Sequence, residues 1–193
     1  MSLQAKRVSE TRTELSQVMT PNDANFLGKV FGGSILALID LTASSTAQRF
    51  SGHICVTASV DRVDFHEPIE IGEMVTLIGY VTYVGRTSVE VTIEVTATHL
   101  RRNETRHVNT ARVTMVAIVD GKPVPVPRLI CETREEKLRF LEGRLRRELR
   151  QAQTKQLEGC KLSIAKLADD ELDELVASET PLTPLPEAIS SGG

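Results

Sequence analysis

Between Lys29 and Arg49 the chain reads VFGGSILALIDLTASSTAQ, apolar and small residues with one charged side chain, Asp40. The apolar positions recur at helical spacing, in rows Ile35-Ile39-Ala43 and Leu36-Asp40-Ala47, and lie all around the axis. This predicts a helix over residues 33–50 that is buried on every side and stops at Ser51-Gly52. Upstream, Asn25-Phe26-Leu27-Gly28-Lys29-Val30-Phe31-Gly32-Gly33 is a turn-rich lead. Before it, Pro21, Asn22 and Asp23 break regular structure, and residues 12–18 suit a short first strand.

Past residue 54 the period changes from helical to alternating. Val89, Val91, Ile93, Val95 and Ala97 face one way, and Glu90, Thr92, Glu94, Thr96 and Thr98 the other, the mark of a half-buried antiparallel strand. Similar runs cover residues 54–65, 74–84 and 107–119, joined by connections of hairpin length at 67–72, Gly85-Arg86 and 101–106. One long helix followed by four meandering strands predicts an α+β domain, a five- to six-stranded antiparallel sheet wrapped around a central helix. The prolines of Lys122-Pro123-Val124-Pro125-Val126-Pro127 make that segment extended and exclude a central strand.

The chain therefore divides into a main domain at 1–128, a charged helical segment at 129–159 and an acidic tail at 160–193. The charged helix is expected over 132–158, with Leu138, Leu141, Leu145 and Leu149 at helical spacing, packing on its own domain or on a partner subunit. One more short helix is expected after Cys160. The end, TPLTPLPEAISSGG, has the composition of a disordered tail.

Charge and cysteine content narrow the function classes. A net charge of −3 and a pI near 5.9 give no global reason to expect nucleic acid or an anionic membrane as partner. Glutamates interleave with Arg139, Arg144, Arg146, Arg147 and Arg150 and cancel much of their field. Cys55, Cys131 and Cys160 are too few and too scattered for a disulfide framework or a zinc site. The start, MSLQAKRVSETRTEL, lacks the apolar core of a signal peptide, and no run of about 18 apolar residues is present. A cytoplasmic protein is expected.

The chemistry-bearing residues cluster around the long helix. If Gly32-Gly33 opens it, the first free amides, that of Gly33 or Ser34 among them, suit an anion or a developing oxyanion. Asp40, a carboxylate costly to bury unpaired, is the candidate for acid–base or nucleophilic work. It lies seven residues beyond Gly33, on the order of 10 Å along the axis. The two cannot share one pocket within a chain, and a second subunit with an antiparallel helix would bring its Asp40 to the first subunit's Gly33. Asn25 has an amide that can hold a carbonyl or orient a water. Arg86, Thr87 and Ser88, at a hairpin, can grip a phosphate or a pantetheine arm.

Each of these has a plainer reading: glycines for close helix–sheet packing, a structural Asp40, turn chemistry at Asn25, a solvated Arg86. His66 reads as a capping or solvated side chain, and His53, His99 and His107 lack metal-ligand spacing. Neither a GxSxG elbow nor a cysteine signature for covalent catalysis is present.

In order, the motifs Pro21-x-x-x-Asn25-x-x-Gly28-x-x-Phe31-Gly32-Gly33 and Leu38-Ile39-Asp40 resemble the acyl-coenzyme A thioesterases of the hotdog fold. The group is the one holding brain acyl-CoA hydrolase and the bacterial YciA-type enzymes. Val60-Asp61-Arg62-Val63-Asp64-Phe65, Pro68, Gly72 and Val84-Gly85-Arg86-Thr87-Ser88 extend the likeness over residues 10–150. The resemblance implies two hotdogs paired edge to edge, commonly assembled further as trimers of dimers into a hexamer. It implies hydrolysis of fatty acyl-CoA, with Asn25 and Asp40 from opposing subunits and the Gly33 amide on the thioester carbonyl. Gly32, Arg86, Thr87 and Ser88 are then candidates for coenzyme A contact. Coenzyme A is part of the substrate, and neither a metal nor a separate cofactor is implied. The alternative is a non-catalytic acyl-CoA-sensing or scaffolding hotdog whose charged C-terminal region recruits a partner. A hotdog hydratase fits less well, because the helix has no Asp–x4–His pair.

Overall fold

The computed structural model describes residues 3–65 and 67–179; His66 and the tail at 180–193 lie outside the described residues. The chain divides into two compact units, Met1–Gly143 and Arg144–Gly193. No helix among the described residues is long and apolar enough to cross a membrane.

In the first unit, β1 (Lys6–Arg7) leads through a 3-10 turn to β2 (Thr13–Val18), followed by a second 3-10 turn at Pro21–Asp23 and by α1 (Gly32–Ser51). Then come β3 (Ile54–Val60), β4 (Met74–Val84), β5 (Ser88–His99), β6 (Glu104–Val119), β7 (Lys122–Pro123) and β8 (Leu129–Ile130). The sheet runs β2-β4-β5-β6-β3, with β7 joined to β6, and all its pairs are antiparallel. β1 and β8 form a small parallel pair of their own. This is the expected long helix wrapped by an antiparallel sheet.

The core lies between α1 and the concave face of the sheet. Ile35, Leu38, Ile39, Ala43, Ala47 and Phe50 meet alternate residues of β4, β5 and β6, including Leu77, Val91, Ile93, Val113 and Met115, all buried. Helix and sheet approach so closely at β4 that a Cβ on Gly79 would lie 2.6 Å from Thr46 Oγ1. Thr42 and Thr46 can enter this apolar layer because their hydroxyls donate back to Leu38 O (2.8 Å) and Thr42 O (2.7 Å). At its C-terminus α1 ends on Gly52 in the left-handed region (φ 76°), with Lys6 Nζ donating to Arg49 O and Phe50 O.

Several boundaries differ from the sequence expectation, the end of the charged helix at Ile164 rather than 158 among them. β3 ends at Val60 rather than 65: after a bulge between Thr57 and Ser59, its last link to β6 is Asp61 N–H donating to Arg112 O. β6 begins at Glu104 because Asn103, at φ 54°, completes a tight turn before it. The charged helix, α2 (Arg134–Ile164), starts two residues later than expected. Thr133 and Glu136 close a reciprocal cap ahead of it, in which Glu136 Oε2 accepts from Thr133 N at 3.0 Å and Thr133 Oγ1 from Glu136 N at 3.2 Å.

The first turns of α2 belong to the first unit and cover the outer face of the sheet. Phe140 packs against Tyr83 with ring centroids 5.0 Å apart, and the Arg139 guanidinium lies over Tyr80. A Cβ on Gly143 would stand 2.5 Å from Tyr83 Cβ and 2.7 Å from Glu90 Oε1. β5, read as half-buried, is thus buried on both faces near its start, and Glu90 is 2% exposed. The leucines singled out in the sequence do not make this contact: Leu138 and Leu141 are exposed. In the second unit the rest of α2 carries exposed Leu145 and Leu149, and a short α3 (Asp169–Ala177) follows.

Two outcomes follow. Gly143→Ala gains helix propensity but overpacks Tyr83 and Glu90, for a net loss of about 1–2 kcal/mol. It is expected to lower the Tm by about 2–4 °C per kcal/mol and to speed amide exchange over residues 134–143. The second concerns Glu73, whose side chain is 4% exposed and bound bidentately by Arg106 at 2.6 and 2.7 Å. The hydrogen bond from Arg106 holds the Glu73 carboxyl below its ordinary value of 4.5, with burial opposing. A carboxyl lowered in the folded state stabilises the fold above its unfolded value, and that stability is lost as pH falls through the folded one. The Tm should therefore fall more steeply from about pH 6 to about pH 3 in the wild type than in Glu73→Gln.

Candidate active site

The loop ahead of α1 is built on Asn25. Its Oδ1 accepts from Leu27 N (2.9 Å) and Lys29 N (3.1 Å), and its backbone N–H donates to Lys29 O (2.7 Å). Gly28, at φ 74°, makes the reversal that these bonds require. The result is a protruding tip on which Phe26 is 97% exposed. The oxygen of Asn25 thus serves the turn, and its Nδ2 has no partner among the described residues.

Asp23 and Ile69 fasten the end of this loop: Phe31 N–H donates to Asp23 O (2.7 Å) and Val30 N–H to Ile69 O (2.9 Å). The Thr20 backbone N–H and hydroxyl in turn hold the Asp23 carboxyl below its usual range. α1 opens at Gly32, so the amides of Gly32 and Gly33 find no acceptor within the helix. Ser34 N–H, by contrast, is taken by Phe31 O at 2.9 Å, which leaves Gly33 of the two expected amides. A Cβ on Gly33 would overlap the Phe31 ring.

Asp40 corrects one expectation. The helix is not buried on every side: Leu36, Ala37, Asp40, Leu41 and Gln48 form an exposed stripe, and Asp40 is among them. The small and apolar residues around the carboxylate face water in the single chain because β3, beside that stripe, is the last strand of the sheet. Asp40 Oδ1 accepts from Thr57 Oγ1 on β3 at 2.5 Å. Thr57 escaped the sequence reading. Its only signal was a hydroxyl on a strand residue of the same parity as buried Cys55.

Arg86, Thr87 and Ser88 stand on the β4–β5 hairpin, with Arg86 exposed. Val89 pairs with Met115, and Met115 with Thr57, so the hairpin lies two strands, about 10 Å, across the sheet from Asp40. One chain therefore holds two separate groups of candidate residues, Asn25 with Gly33 at the start of α1, and Asp40 with Thr57 near its middle.

The signature of the Thioesterase superfamily matches residues 27–102. A Bacillus subtilis protein, named an uncharacterized acyl-CoA thioester hydrolase, is 41% identical over 128 residues, 66% of this chain and 74% of that one. The chain belongs to the thioesterase superfamily. Among solved structures, an apo hexameric acyl-CoA thioesterase aligns with a TM-score of 0.75 at 38% identity, over 79% of this chain and 98% of that one. A Staphylococcus aureus acyl-CoA hydrolase, solved with butyryl coenzyme A, coenzyme A and coenzyme A disulfide, aligns with a TM-score of 0.73 at 31% identity, covering 84% and 99%. That hydrolase was also solved with an asparagine, an aspartate and a threonine each replaced by alanine. The asparagine and aspartate are fifteen residues apart and the aspartate and threonine seventeen, the same two spacings as in Asn25, Asp40 and Thr57.

The part that the Asn25 oxygen plays in the turn can be isolated. Asn25→Asp keeps the oxygen that accepts from Leu27 and Lys29, whereas Asn25→Ala removes it. Thermal melts should show Asn25→Asp near wild type and Asn25→Ala destabilised by about 1–2 kcal/mol. Equal loss in both would show that the turn depends on Nδ2 instead.

Proposed function

We propose that this chain hydrolyses the thioester of fatty acyl-CoA to free acid and coenzyme A, at a site shared by two copies of the chain. The observation that carries the reading is the pair of half-sites. Seven residues of helix hold the Gly33 amide and Asp40 on the order of 10 Å apart, too far for one carbonyl.

An antiparallel pairing of two α1 helices sets one copy's Asn25 and Gly33 against the other's Asp40. That pairing is supported by β3, an edge strand carrying exposed Ile54, Val56 and Val60, and by exposed Leu36 and Leu41 on α1 beside it. An apolar edge of this kind invites a second strand. The pairs assemble further into a trimer of dimers; the hexameric structural relative supports this step.

In the mechanism the Gly33 N–H polarises the thioester carbonyl, and the helix N-terminus favours the negative charge that develops on its oxygen. Thr57 fixes one oxygen of Asp40, so the carboxylate meets the carbonyl in a set orientation. Asp40 takes a proton from a water that attacks the carbonyl, and the C–S bond breaks to give the acid and coenzyme A. Alternatively Asp40 itself adds to the carbonyl and coenzyme A leaves as thiol or thiolate; water then hydrolyses the resulting Asp40–acyl anhydride to release the acid and restore the carboxylate. Asn25 Nδ2 donates to the water or the thioester oxygen. Arg86, Thr87 and Ser88 contact the coenzyme A portion and Gly32 the substrate beside its thioester; coenzyme A enters as substrate, with no resident cofactor or metal in the scheme.

Thiol release from acyl-CoAs tests this directly. Asn25→Ala and Asp40→Ala should each lose on the order of 10²–10⁴-fold in kcat/KM. Refolded together in equal amounts, half the pairs are mixed, and each mixed pair has one intact site. Activity should return to about a quarter of wild type in a two-fold assembly of this kind. Full activity in folded Asp40→Ala sinks the reading, and no recovery in the mixture sinks the shared site.

A further inference from the structure

Beside Gly32, the residue before the Gly33 amide, lies a cavity of about 300 Å³ lined by Val30, Gly32, Ile35, Phe65, Pro68 and Ile69, with Glu67 completing it. Apart from Gly32 and Glu67 every lining side chain is apolar, and the Glu67 carboxylate is engaged by Arg106 Nε at 3.1 Å. Phe65 is the unusual member. It is 46% exposed, yet its ring rests on the first glycine of α1, with Cζ 3.6 Å from where a Gly32 Cβ would stand.

The segment bearing Phe65 has no regular structure and is tied down at two points. Asp61 N–H donates to Arg112 O at 2.9 Å, and Asn109 Nδ2 donates to Asp64 O at 2.5 Å. Asn109 is 2% exposed, and its Oδ1 is buried without a partner among the described residues. Buried amide oxygens are almost always satisfied. A bare one in the side chain that fastens the Phe65 segment is an unfavourable arrangement, of the kind that persists where a position serves function.

We infer that this cavity receives the acyl chain and that Phe65 sets the chain length accepted; the inference rests on the thioesterase reading above. With the thioester carbonyl on Gly33 N–H, its two substituents must leave in different directions. The pantetheine arm, with its amides and phosphates, matches hydroxyls and charge rather than an apolar wall. The hydrocarbon matches Val30, Ile35, Phe65 and Ile69. At roughly 30 Å³ for a water-sized group, the cavity holds about ten such groups, which makes medium-length acyl chains its best fit.

The test is kcat/KM across saturated acyl-CoAs from acetyl to palmitoyl in wild type, Phe65→Ala and Phe65→Trp. Affinities of non-hydrolysable thioether analogues of the same lengths are measured in parallel. In the wild type each methylene that enters the cavity should raise kcat/KM about four-fold, until the medium range ends the rise. Phe65→Ala should move the optimum at least two carbons longer. Phe65→Trp should lower the decanoyl-to-butyryl ratio by about ten-fold or more, and the analogue affinities should shift in parallel.

Length profiles that keep their shape in both variants overturn the inference, whether or not overall rates change, because Phe65 would then touch the pantetheine arm or no part of the substrate. Should the wild type turn over no acyl-CoA, the thioesterase reading falls. The analogue affinities would still decide whether the cavity measures acyl length. Phe65 is half-exposed, so both variants should fold, and a circular dichroism melt within a few degrees of wild type checks it.

Discussion

The close seating of α1 in the concave sheet is the contact on which the site depends. Gly79 leaves no room for a side chain under Thr42 and Thr46, and those hydroxyls turn back on their own helix, so α1 lies against β4 without a gap. A helix held this rigidly fixes its first amides and its Asp40 at a constant separation. The thioesterase chemistry proposed for the chain is shaped by that spacing. In the proposed assembly one helix supplies two ends of two different sites, and pairing would bring the complementary ends together.

The same helix explains why an acid sits in so apolar a run. In a single chain Asp40 is exposed, beside an unpaired β3 edge and half-exposed leucines. Its small neighbours Ala37 and Ser44, one turn away on either side, leave space around it. In the proposed pairing that space is where substrate and the second chain's loop would enter, so the carboxylate is desolvated only when it has something to act on. Thr57 contributes from β3, the strand that would form the interface, so the orientation of Asp40 and the pairing edge depend on one another.

The elements were largely legible because their signals are local. Val89 to Ala97 alternate strictly and form the middle of the sheet, and residues 33–50 fall within one helix of the expected kind. What sequence could not give was exposure. An apolar row reads alike whether it meets its own sheet or another chain, so α1 was expected to be buried all round. The charged helix shows the same limit from the other side: leucines at helical spacing suggested the contact, but Phe140 and Gly143 make it, since Gly143 alone admits the approach to Tyr83 and Glu90. Thr57 stayed hidden because its partner is seventeen residues away, across a helix–strand connection that only the fold closes.

The division of labour in Asn25 bears on why an asparagine stands there. A turn-forming aspartate would satisfy Leu27 N and Lys29 N equally well, but it would place a second carboxylate where the proposed pairing brings Asp40. Two like charges a few ångströms apart in a site closed to water repel strongly. Asparagine keeps the acceptor that the loop needs and presents a donor to the other side. That donor complements both the carboxylate and an oxygen on the substrate. In the proposed pairing one side chain would thereby link the local turn, through its oxygen, to the assembly, through its nitrogen, and the loop would have to form before the second half-site had anything to meet.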